Sequence, residues 1–65
     1  METIKLWLAR DMDGDLYLFN HKPRRNFAVW VDFDSRAMVM LDKNAYPQVR
    51  WDDEEPTEVE LKIVK

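Results

Sequence analysis

Cysteine is absent from this chain, and glycine and histidine each occur once. Without cysteine there are no disulfides, no thiolate zinc site and no thiol nucleophile. One glycine, Gly14, cannot build a phosphate-cradling loop. The lone histidine, His21, lies in a polar stretch beside Lys22, far in sequence from the single serine, Ser35. A solvated loop imidazole is the plain reading of it, and no nucleophile and base stand together. Carboxylates are plentiful, with 13 aspartates and glutamates, yet no pair is marked out as a general acid and base. These absences exclude most enzymes, so the expectation is a protein that is not an enzyme and needs no cofactor. No apolar run approaches a signal sequence or a membrane span, and cysteine-free composition suits a reducing compartment, so a cytoplasmic location is expected.

What remains is a 65-residue chain, enough for one small domain spanning 1–65. A chain of this size buries only about 60% of the surface it exposes when unfolded. Stability must come from dense packing of its three Trp, two Tyr and three Phe, or from a partner. The net charge of −3 is unevenly spread: residues 1–20 carry −2, residues 21–50 carry +3 and residues 51–65 carry −4.

Short alternating runs separated by turn signals predict an all-β fold of about five antiparallel strands, a strongly bent sheet or small open barrel. Thr3–Arg10 sets Ile4, Leu6 and Leu8 against Lys5, Trp7 and Ala9. Asp11 to Asp15, with Gly14, supplies a hairpin turn, and Leu16–Asn20 returns. His21–Asn26 reads as a polar loop held by Pro23. Phe27–Phe33 follows, with Phe27, Val29, Val31 and Phe33 opposite Ala28 and Trp30. Asp34 and Ser35 turn into Arg36–Leu41. Asp42 caps a short helical turn near residues 42–46, stopped by Pro47. Thr57–Val64 is the clearest strand, with Val59, Leu61 and Ile63 in and Glu58, Glu60 and Lys62 out. The expected core is Ile4, Leu6, Leu8, Leu16, Leu18, Val29, Val31, Val39, Leu41, Val59, Leu61 and Ile63.

The first four strands are apolar on both faces. Trp7, Tyr17, Phe19, Trp30, Met38 and Met40 form a second set that something must cover. Tyr46, Pro47, Val49 and Trp51 are expected to fold over it at least partly. Closure of the sheet, a partner protein or a second copy are the other solutions.

Each charged cluster has a plain reading beside a sharper one. Asp11, Asp13 and Asp15 suggest calcium, but the EF-hand spacing needs a later glycine and a glutamate that are missing, so a turn is expected and no metal site. Lys22, Arg24 and Arg25, bordered by Tyr17 and Trp30, form a basic loop on which bases could stack. Three cations on an acidic chain make this the alternative function, a small nucleic-acid-binding module. Asp52, Asp53, Glu54 and Glu55 form an acidic loop suited to docking on a basic surface, or simply to solvation. Met38 and Met40 fill gaps in a core or, beside tryptophan, form an interface.

Lys5-Leu6-Trp7-Leu8-Ala9-Arg10-Asp11, Asp13-Gly14, Leu16-Tyr17-Leu18-Phe19 and Lys22-Pro23 resemble a group of short uncharacterised proteins of Bacteroides-type gut bacteria and their phages and mobile elements. Ala45–Asp53 and Pro56–Leu61 are similar to their closing segment, and residues 24–41 match least. The resemblance implies a small intracellular accessory protein and supplies no catalytic residues. The expected function is therefore non-enzymatic binding of an unknown protein through Asp52, Asp53, Glu54 and Glu55, or through whatever part of the Trp7, Tyr17, Trp30 and Met38 face stays open. Homodimerisation through that aromatic face is a third reading.

Overall fold

Alternation in the first twenty residues passes directly into a hairpin. The computed structural model describes residues 3–32 and 38–64, and in it β1 (Thr3–Arg10) pairs antiparallel with β2 (Leu16–Phe19). The turn closes through the Asp11 N–H to the Asp15 carbonyl at 2.8 Å and the Gly14 N–H to the Asp11 carbonyl at 2.9 Å. Asp13 accepts the Asp15 N–H at 3.0 Å. Gly14 sits at φ 97°, a conformation that a Cβ would strain.

Among the described residues four more strands follow: β3 (Arg24–Asn26), β4 (Val29–Val31), β5 (Met38–Leu41) and β6 (Thr57–Lys62). One antiparallel sheet has the order β5-β2-β1-β6, and β3 and β4 form a separate hairpin. The protein is all-β, and because β5 and β6 are both edges the sheet does not close into a barrel. The sixth described strand, β3, lies in the stretch expected as a loop. It forms because Arg25 faces Trp30 across the hairpin, where the guanidinium stacks on the indole. Residues 42–46 make a turn and not a helical one. The Ala45 N–H bonds the Asp42 carbonyl, and Asp42 accepts the Asn44 N–H through its side chain, which gives that aspartate the capping task in a smaller motif. Phe33, the Asp34-Ser35 turn, Arg36 and Ala37 lie outside the described residues.

Register decides which side chains share a face. Leu8 pairs with Leu18 and Thr57, Leu18 with Val39, Leu16 with Leu41, Leu6 with Val59 and Ile4 with Leu61. All but Thr57 are aliphatic. On the other face Trp7 pairs with Phe19 and Glu58, Phe19 with Met38, and Ala9 with Tyr17. The β3–β4 hairpin lies over this second face and inserts Trp30, forming a core of Ala9, Phe19 and Trp30 with Trp7, Tyr17 and Trp51 against it.

The expected core is thereby partly inverted. Leu8 and Leu16 are buried as anticipated, but Ile4, Val29, Val39, Leu61 and Ile63 are exposed, while Trp30 is only 4% accessible. Two apolar faces compete for one short covering hairpin. The face that carries the rings wins, because a buried ring removes more surface from water than an aliphatic side chain.

The segment after β5 divides between the faces. Ala45 and Val49 pack on the Leu8–Leu16 end of the aliphatic face, while Trp51 packs beside Trp30 on the opposite one. Tyr46 and Pro47, expected over the aromatic face, are exposed. Arg10 fixes this strap. Its guanidinium donates to the carbonyls of Val49 at 2.7 Å, Gly14 at 2.8 Å, Lys43 at 2.9 Å, Ala45 at 3.0 Å and Tyr46 at 3.3 Å.

The β3–β4 turn places Phe27 at φ 56° with its ring 94% exposed. A positive φ at the first central position of a two-residue hairpin loop is a glycine conformation. Phe27→Gly should therefore stabilise the protein by about 1 kcal/mol, raising the thermal midpoint by about 4–8 °C in circular dichroism melts. A midpoint that stays or falls would show that the exposed ring has a packing role.

Candidate docking face

The side chains singled out by sequence meet in pairs that could not be read locally. Arg25 lies between two indoles, its guanidinium carbon 4.8 Å from the Trp30 ring centre and 4.5 Å from that of Trp51. It also donates to the backbone carbonyls of Trp51, at 2.5 Å, and Asp53. Lys22 pairs with Glu55 at 2.9 Å, and Arg50 with Asp52 at 3.1 Å. The Arg50 N–H bonds the Asp53 carboxylate at 3.0 Å. The basic and acidic loops thus face each other across an open groove of about 500 Å³ lined by Lys22, Arg24, Glu54, Glu55 and Pro56 among others. Glu54, Arg24 and Arg25 all lie exposed at this groove, and Arg25 is also tied by its guanidinium to the Trp51 carbonyl.

Of the aromatic candidates, Trp30 is buried, Trp7 and Tyr17 are half-buried, and Met38 is exposed at the β5 edge. Trp30 and Trp51 meet edge to face, with ring centres 6.4 Å apart. The Trp30 backbone N–H donates to Asp11 at 2.9 Å, and the Met12 N–H to the Ala28 carbonyl at 3.0 Å, which ties the covering hairpin to the β1–β2 turn. His21 lies 3.4 Å from Asp32.

Asp11, Asp13 and Asp15 do not converge. Asp11 faces Trp30, Asp13 closes its own turn, and Asp15 lies 3.7 Å from Lys43. Among the described residues no group of three metal-ligating side chains comes together. Burial raises the Asp11 pKa above the ordinary 3.8; the Trp30 N–H opposes this, and Asp13 and Asp15 add to it. Burial and the same three carboxylates also raise Tyr17.

A raised folded-state pKa means that the ionised carboxylate opposes folding. Its contribution is most favourable below the unfolded pKa and is lost as pH rises through the folded one. Asp11→Asn keeps an acceptor for Trp30 and removes that charge. Its stability relative to the parent should rise with pH from about 3.8 upward, whereas Asp11→Ala, which leaves the Trp30 N–H unpaired, should lose about 1–3 kcal/mol. Urea titrations between pH 3 and 8 check both, and a parallel pH dependence for the Asp11→Asn variant and its parent would refute the assignment.

Phe19 and Trp30 are enclosed, Met38 and Met40 on the same face stay 44% and 59% accessible instead of being covered, and the aliphatic face is open as well. Ile4, Val39 and Leu61 are 54%, 58% and 53% accessible, and Leu6, Leu18, Leu41 and Val59 are half-buried. Leu61 and the half-buried Leu6, Leu18, Leu41 and Val59 line an apolar hollow of about 390 Å³ together with Ala45 and Tyr46, and Val39 lines a smaller one of about 220 Å³ with Leu6, Leu18 and Met38. Asp42 and Glu60 bring the only charges to the lining of these hollows. Sequence reading placed these residues inside. The clue to the contrary was Arg10, which alternation sets on the Leu8 side, so backbone carbonyls rather than another apolar layer had to meet that end.

Among the described residues no helix is long and apolar enough to cross a membrane. No family model matches the chain, and no curated protein or solved structure matches it either.

Proposed function

We propose that this chain is a non-enzymatic accessory protein that works by docking a protein chain on the open aliphatic face of its sheet. One observation carries the reading: Ile4, Val39 and Leu61 stand more than half accessible on one sheet face, with Leu61 lining an apolar hollow, while the hairpin on the opposite face encloses Phe19 and Trp30. Contiguous apolar surface of this kind is unfavourable in water and marks a site of association. Its near absence of charge suits an apolar protein surface and gives a phosphate backbone nothing to hold.

The nucleic-acid reading loses support from the geometry, since the exposed Arg25 already spends its guanidinium on two indoles and the Trp51 carbonyl and Lys22 is paired with Glu55. The acidic loop loses some as well, because Asp52, Asp53 and Glu55 already meet Arg50 and Lys22.

Site-specific photo-crosslinking inside cells tests the proposal. A photoreactive residue at Leu61 or at Val39 should give one discrete protein adduct, the same from both sites. The same probe at Glu58, which β1–β6 register sets on the opposite face, should not. Equal adducts from all three positions, or none, would overturn it.

A further inference from the structure

We infer that the chain seated on the aliphatic face is a second copy of this protein, packed sheet on sheet about a twofold axis. The inference rests on the docking reading above and names its partner.

Three features favour a copy of the chain over another occupant. The first is charge. At a twofold interface every patch meets its own kind, so a charged patch repels itself while a neutral apolar one does not. On a chain of net charge −3 the face formed by Ile4, Leu6, Leu18, Val39, Val59 and Leu61 is the large uncharged surface. Asp42 and Glu60 lie at its margin, where water screens them.

The second is area. The exposed parts of Ile4, Val39, Leu61 and Tyr46, with the half-buried leucines and Val59, amount to on the order of 600 Å² per chain, so a pair buries about 1,200 Å², the lower bound for a specific interface. A small apolar patch buried on both sides at once reaches that bound only when the partner offers an equal patch, which a second copy does by construction.

The third is architecture. The molecule measures 39 × 27 × 19 Å, its shortest extent being that of about two layers packed roughly 10 Å apart. Those layers are the four-stranded sheet and the β3–β4 hairpin. A second sheet laid on the free side completes a sandwich of four layers, with Leu6, Leu18 and Val59 at its centre and Tyr46 at its rim. Edge pairing through β6 is a weaker route, because a twofold axis centred on Val59 sets Glu58 against Glu60 and one centred on Glu60 sets that residue against itself.

Light scattering and sedimentation equilibrium on the purified chain decide the matter. The expected result is a mass moving from 7.9 kDa toward twice that value as concentration rises, with a thermal midpoint that rises alongside. Leu61→Lys and Val39→Lys should each weaken the pair by about 100-fold or more, since each buries an ammonium in an apolar contact. Glu58→Gln, on the opposite face, should leave it unchanged. A photoreactive residue at position 61 of the purified protein should give an adduct of two chains, which reads the contact without adding a charge.

A single-chain mass at every concentration up to about 1 mM would overturn the inference. So would a pair indifferent to both lysine substitutions. If the chain stays single while the cellular adduct at Leu61 contains another protein, the docking reading stands and only the copy is refuted. If the cellular adduct is missing too, both fall.

Discussion

Arg10→Ala is expected to bring the protein close to unfolding. The side chain donates to five backbone carbonyls, those of Gly14, Lys43, Ala45, Tyr46 and Val49. The bonds to Gly14, Ala45 and Val49 are partly shielded from water, and at about 1 kcal/mol each they sum to about 3 kcal/mol. The exposed ones add little. Detaching residues 43–49 would also uncover Leu8 and Leu16, which Val49 and Ala45 shield. Small domains hold only about 5 kcal/mol in reserve, so the loss takes most of it. Urea denaturation should show a much lower midpoint. Arg10→Lys should recover little, because three donors on a compact ammonium cannot fan out over carbonyls as a planar guanidinium does. A midpoint unchanged by alanine would mean that the strap is held by its apolar contacts alone.

Trp30→Ala should be comparably severe, costing about 3–5 kcal/mol. The indole is the largest side chain in the aromatic core, packs against Ala9, Phe19 and Trp51, and carries the Arg25 guanidinium on its face. An isolated two-stranded hairpin is marginal in water, so without this anchor β3 and β4 should detach from the sheet. Trp30→Phe should keep about half of the stability, since a smaller ring fills part of the site. Near-ultraviolet circular dichroism, which reports the packed indoles, should collapse for alanine and persist for phenylalanine. A full signal from the alanine protein would refute the anchoring role.

Much of the scaffold was legible because it depends on near neighbours. The alternation of Ile4, Leu6 and Leu8, the Asp13-Gly14 turn and the run Val59, Leu61 are signals within a few residues, and each became the strand or turn it indicates. The allocation of faces was not legible, for a physical reason. Both sides of β1 and β2 are apolar, so burial alone does not choose between them. The choice is made by contacts across long stretches of chain: Arg10 with Val49, Trp30 with Asp11, and Arg25 with Trp51. The strand β3 was missed because three residues carry no period. In the same way Lys22 and Glu55 were each visible as charge, but only folding brings them together. The aliphatic face was read correctly as apolar and wrongly as enclosed, because the one hairpin available for cover went to the rings.

The path of the strap has a mechanical meaning. Val49 and Trp51 are two positions apart, and they plug opposite sides of one thin slab. A buckle placed there makes the halves of the molecule a single cooperative unit: neither small oily nucleus can loosen while its neighbour stays shut.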